Sequence, residues 1–173
     1  MITIRQERAS DVEVREALLD EAFGENRTRK SSQRLRDGRL AAEGLSFVAA
    51  DADRTVGTAR LWNVDCGGRP ALLLGSVAVA CDRRSEGIGA ALIERALAAA
   101  RARGHAAVVL VGDAAYYGRF GFTAEKTGAL SMPGPFERHR LLGLELVSGA
   151  LDGAAGVIAA SGRSVPKPRR KAA

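Results

Sequence analysis

A chain of 173 residues, 46% of them apolar, suffices for one domain with a substantial core. Its net charge of +6 is local: five basic residues lie between Arg163 and Lys171, and the remainder holds 21 basic against 20 acidic residues. A near-neutral body argues against a nucleic-acid partner. The charged start, Met-Ile-Thr-Ile-Arg-Gln-Glu-Arg, and the lack of a membrane-length apolar run give the expectation of a cytoplasmic protein with no membrane partner.

Residues 2–7 alternate weakly, as a first strand does. Ser10 and Glu13 have the spacing of a capping box, with Ser10 at the cap of a helix whose face carries Val14, Leu18 and Ala22, with Leu19 and Phe23 beside it. Gly24 ends that helix. Residues 25–44 are polar and basic and predict a loop and a second helix ending near Gly44, with Ser31 or Ser32 at its cap. Leu45–Ala50 and Thr55–Asn63 predict a hairpin joined across Asp51-Ala-Asp-Arg54. Gly67-Gly68-Arg69-Pro70 is a turn. Ala71–Val79, apolar on both faces, predicts one long central strand.

Gly87–Arg103 has the strongest helical periodicity of the chain, with Ile88, Leu92, Ala96 and Ala99 on one face and Gly104 as its stop. Ala106–Val111 predicts a buried strand, Asp113 the cap of a short helix at 114–119, and Arg140–Leu146 a further strand, with one more at 155–160. The order predicts an α/β (α+β) fold: a single domain over 1–161, then a basic, disordered tail over 162–173. Cys66 and Cys81 lack Cys-x-x-Cys spacing, and with His105 and His139 they form no recognisable ligand set, so neither a disulfide scaffold nor a metal site is expected.

The most informative segment joins the strand ending at Val79 to the helix beginning near Gly87. The first N–H groups of a helix have no internal partners, and its aligned peptide dipoles place partial positive charge there. Glycines at 87 and 89 let a bulky anion approach the backbone, and Arg84 adds a charged donor. The loop is not a P-loop, because no Lys-Ser or Lys-Thr follows, and it lacks the three spaced glycines of a dinucleotide fingerprint.

Arg84-Ser85-Glu86-Gly87-Ile88-Gly89 resembles motif A of the GNAT N-acetyltransferase superfamily, and Ala115-Tyr-Tyr-Gly-Arg-Phe-Gly-Phe122 resembles its motif B. The resemblance runs from about Ile2 to Leu146, with the specific motifs within 72–122. It implies a bacterial, acetyl-CoA-dependent acetyltransferase with a mixed, mostly antiparallel, splayed central sheet flanked by helices. It further implies that Arg84, Ser85, Glu86, Gly87, Ile88 and Gly89 hold the cofactor's pyrophosphate. The backbone of Val77, Ala78 and Val79 would pair with the pantetheine arm and polarise the thioester. Tyr117, four residues before Gly121, matches a family tyrosine that protonates the departing thiolate.

The implied reaction is acetyl transfer to a primary amine of a small molecule or protein, by direct attack in a ternary complex. The alternative is a non-catalytic CoA-binding regulatory module, because the central strand carries no carboxylate to serve as base. Glu21, Glu25, Asp65 and a water chain are the candidates for that task; Cys81 has no evident activating partner, and His139 reads either as a surface histidine or as a contact to the acceptor. Arg27, Arg29, Lys30, Arg34, Arg36, Arg39, Arg138 and Arg140 fall in segments that would flank the acceptor, favouring either an acidic acceptor or merely solvated faces. The acceptor is not specified, and a homodimer is compatible with the sequence.

Overall fold

The structure is a computed structural model that describes residues 1–166. The elements run β1 (Ile2–Gln6), α1 (Val12–Phe23), β2 (Ser46–Asp51), β3 (Arg54–Cys66), β4 (Arg69–Leu74), β5 (Ala78–Val79), α2 (Ile88–Ala102), β6 (Ala107–Val111), α3 (Ala114–Tyr117), β7 (Leu130–Ser131), β8 (Leu141–Glu145), β9 (Gly156–Val157) and β10 (Ala159–Ala160). Among the described residues the main sheet follows the order β1-β2-β3-β4-β6-β8. Every pairing along it is antiparallel except β4 with β6. The 13-residue β3 is its spine: its first half lies between β2 and β5, its second between β10 and β4.

The two-residue period of a strand divides the core. Leu61, Leu72, Val108 and Leu110 turn to one face, where α2 lays Ile88, Leu92, Ile93 and Ala96 over them. Trp62, Leu73 and Val109 turn to the other, under Leu130, Leu141, Leu151 and Ile158. Leu92 is fully buried, and truncating it to Ala would cost about 2–5 kcal/mol.

Several local expectations change. Asp11, rather than Ser10, organises the start of α1: its carboxylate accepts the Arg8 N–H (2.7 Å) and binds the Arg5 guanidinium (2.7 and 3.0 Å). Val14 is exposed, and Arg15, Leu18 and Leu19 form the buried face of that helix. The expected second helix is two separate 3₁₀ turns, Glu25–Arg29 and Ser31–Leu35. Leu35 is the lone apolar side chain between Gly24 and Arg39, so no apolar stripe rewards a longer helix.

The long strand expected over Ala71–Val79 is broken. β4 ends at Leu74 opposite Leu61, and β5 resumes at Ala78 opposite Thr58, so three residues of this segment face two of β3. That is a bulge. Gly75 takes a φ of 154°, and its carbonyl accepts the Trp62 indole N–H at 2.8 Å. Of the expected tail, Arg163 and Val165 exchange backbone hydrogen bonds with Leu40 and Gly38 (2.8 Å each), and residues 167–173 lie outside the described residues.

Candidate functional site

The bulge decides where the sheet opens. Parallel pairing of β4 with β6 is confined to Leu72–Val108 and Leu73–Val109. Beyond it, β5 stays on β3 while β6 stays on β8, and the strands part. A cavity of about 400 Å³ lies in the opening, with Leu73–Val77 on one wall and Val111–Asp113 and Tyr117 on the other.

The unused backbone edge faces this gap. Ala80 donates its N–H to Val56 at 2.8 Å. Alternation then turns Ala78 toward β3 and the N–H and C=O groups of Val77 and Val79 away from it. Among the described residues Val77 and Val79 therefore present backbone polar groups without a partner, and Ala78 is spent on the sheet.

At the end of β5 the chain enters the loop 84–89, exposed from Arg84 to Gly87. Ser85 (φ 68°) and Gly87 (φ 78°) are both left-handed, the backbone form that turns successive N–H groups toward one concavity. α2 begins at Ile88 with no side chain capping it, so its first amides stay available to an anion. Glu86 does not oppose this: its carboxylate is held by Arg83 at 2.6 Å, and Arg83 also binds Asp51. Arg84 has no ion pair among the described residues and is exposed. A Cβ built on Gly89 would lie 3.6 Å from the Tyr116 hydroxyl and 3.7 Å from Val79, which places that tyrosine beside the loop.

The two tyrosines separate. Tyr116 sits at the α2 N-terminus with the Arg119 guanidinium over its ring (4.4 Å). Tyr117 lines the cavity, its ring against Gly112 and edge-on to Phe122. Burial, reinforced by Tyr116, pushes the Tyr117 phenol above its ordinary range, so it keeps its proton at neutral pH.

Glu21, Glu25 and Asp65 do not line the cavity. Glu21 accepts hydrogen bonds from the backbone N–H (3.2 Å) and thiol of Cys81, and this contact pushes the thiol upward in pKa, away from the nucleophilic thiolate. Asp65 caps the β3–β4 turn through the Gly68 N–H at 2.8 Å. Asp113, the one carboxylate on the cavity wall among the described residues, accepts the Ala115 N–H at 2.9 Å. His139 is exposed, and Cys66 is buried with its thiol pushed up to about 12.

The flanking cations also separate. Arg27 is bound to Glu16 and Asp20, Arg34 to the Pro133 carbonyl, Arg39 to the Gly162 carbonyl and Arg138 to the Thr127 and Leu130 carbonyls. Lys30, Arg36 and Arg140 line the cavity. Sequence spacing does not single out these three, because they come from segments a hundred residues apart.

Two further features lie next to the bulge. Thr58, on β3 opposite Ala78, is fully buried, and its hydroxyl has no partner among the described residues. A smaller hollow of about 250 Å³, lined by Thr58, Glu16 and Arg60, meets the main cavity at Arg36, Gly75 and Ser76. No helix among the described residues is long and apolar enough to cross a membrane.

Residues 3–124 match the family model described as the acetyltransferase (GNAT) domain. Among solved structures, the chain is similar to the GNAT family N-acetyltransferase YhbS of Escherichia coli in complex with CoA. That match has 29% identity over 92% of this chain and 89% of that one, with a TM-score of 0.78. It is also similar to a GNAT family acetyltransferase of Brucella melitensis in complex with acetyl-CoA, at 28% identity over 88% and 99% of the two chains and a TM-score of 0.61. The ribosomal-protein-S18-alanine N-acetyltransferase of E. coli, 19% identical over 85% and 95% with a TM-score of 0.57, shares the fold. Among curated protein sequences, none matches.

Proposed function

The chain belongs to the GNAT acetyltransferase family, and from that premise we propose that it transfers the acetyl group of acetyl-CoA to a primary amine of a small molecule, by direct attack in a ternary complex. The observation that carries the reading is the unpaired backbone edge at Val77 and Val79, where the sheet parts beside the cavity. An extended acyl carrier can pair there as an added strand.

The remaining residues fit the same substrate. The free amides of the 84–89 loop and the α2 N-terminus suit a pyrophosphate, with Arg84 as its charged partner. The N–H groups of Val77 and Val79 are the donors available to the negative charge that develops on the thioester oxygen. Acetyl-CoA supplies the activated acyl group. Tyr117, protonated and on the cavity wall, donates a proton to the leaving thiolate. Asp113 caps α3 through the Ala115 N–H, and the proton lost by the amine passes to solvent.

The test combines calorimetry of acetyl-CoA binding with thiol release across a panel of amino acids, polyamines, aminoglycosides and peptide N-termini. Binding together with acceptor-dependent thiol release supports the proposal. Binding with no thiol release from any amine would instead favour a non-catalytic CoA-binding module, and no binding at all would reject both.

A further inference from the structure

Building on the acetyl-transfer reading, we infer that the acceptor is a small amine that also carries a carboxylate, held in the 400 Å³ cavity by Lys30, Arg36 and Arg140.

Three cationic side chains converge on one cavity, and among the described residues none is neutralised within it. Among the same residues Arg36 has only the neutral Gln33 amide oxygen as a side-chain partner, at 3.1 and 3.3 Å. Lys30 rests over the Phe23 ring at 4.6 Å. Arg140 reaches outward to Glu137 at 3.6 Å, an exposed contact of little strength. Asp113 is committed to the cap of α3. Such an arrangement is costly to hold empty of anions and is relieved by one. Accordingly, burial first, then the charges of Arg36 and Arg140, hold the Lys30 ammonium below its usual range.

The chemistry discriminates among amines. A polyamine adds positive charge to a positive cavity and is repelled. An amine with a carboxylate is steered in by its anion, and the same cations favour its neutral, nucleophilic amine over the ammonium. That effect compensates for the missing catalytic carboxylate. Phe23, Pro135, Phe136 and Val77 give the cavity apolar walls, so an acceptor with an apolar body fits best.

The test is calorimetry on the CoA-saturated protein with two near-isosteric probes, the anionic 3-phenylpropanoate and the neutral 3-phenylpropanamide. The carboxylate should bind tighter by about tenfold or more, as expected for charge-assisted hydrogen bonds. Arg36→Gln should erase most of that preference. Because Arg36 also packs beside Gly75, Lys30→Gln and Arg140→Gln, whose side chains reach solvent, should each reduce it in proteins whose melting is unchanged. Equal affinities, no measurable binding of the carboxylate, or a preference that survives in the folded variants would overturn the inference. The measurement needs no turnover. A preference without any thiol release would sink the acetyl-transfer reading, and the acceptor role with it, while leaving the anion site; thiol release without the preference would sink the anion site alone.

Discussion

The Trp62 indole N–H on β3 donates to the Gly75 carbonyl at 2.8 Å, and this bond fastens the bulge at the point where β4 leaves β6. Removing the donor with Trp62→Phe should cost about 1–3 kcal/mol, from the lost hydrogen bond and a small void. In the folded variant, acetyl transfer should fall by about tenfold or more, because the backbone edge proposed to align the acyl group loosens. Urea titration and steady-state kinetics read the two effects. A variant less stable but kinetically normal would mean that the bond serves the fold alone.

Tyr117 and Tyr116 form a matched pair of tests. If the Tyr117 hydroxyl protonates the thiolate, Tyr117→Phe should leave acetyl-CoA affinity nearly unchanged and lower turnover by about 10²- to 10⁴-fold. Tyr116→Phe, whose hydroxyl sits by Gly89, should leave turnover nearly intact. The raised Tyr117 pKa sets the sign with pH: the donor stays protonated below it, so its loss appears only above the ordinary phenol value of about 10. Equal and mild effects in the two variants would remove Tyr117 from the reaction.

At the 84–89 loop, proposed to seat the pyrophosphate, Gly89→Glu is cleaner than Gly87→Glu. Gly87, at φ 78°, strains any side chain, whereas a Cβ at Gly89 makes only ordinary contacts. Both should weaken acetyl-CoA binding by more than about tenfold by bringing like charge to the pyrophosphate, and Arg84→Ala should cost about tenfold. Calorimetry on a folded Gly89→Glu protein with wild-type affinity would exclude the loop as the phosphate seat.

Asp11 should govern acid stability. The Arg5 guanidinium holds its buried carboxyl well below the usual range, with added bonds from the Arg8 N–H and the Thr55 hydroxyl. A depressed folded-state pKa stabilises the fold above the unfolded value near 4, and that stabilisation drains away as pH falls toward the folded value. Asp11→Asn should therefore cost about 2–3 kcal/mol at neutral pH, and the gap from wild type should narrow below pH 4. A gap constant down to pH 2 in urea titrations would contradict the assignment.

The sequence by itself determined what depends on neighbouring residues. Strand alternation, the α2 stripe, the turn glycines and the glycine-containing loop ahead of α2 all follow from local periodicity and from amides that a helix start must leave free. It also separated the charged tail from a near-neutral body. Only the tertiary structure decided the rest. Ala71–Val79 reads as one strand because its apolar pattern is continuous, and the break depends on an indole that reaches Gly75 from β3. Glu21 is one of several candidate bases in the sequence, and α1 packs it onto Cys81. Eight basic residues flank the site in the sequence, but which three converge depends on how the 25–36 turns and the 135–140 segment close over the parted strands. Side chains meet across a cavity through long-range packing, which local spacing does not encode.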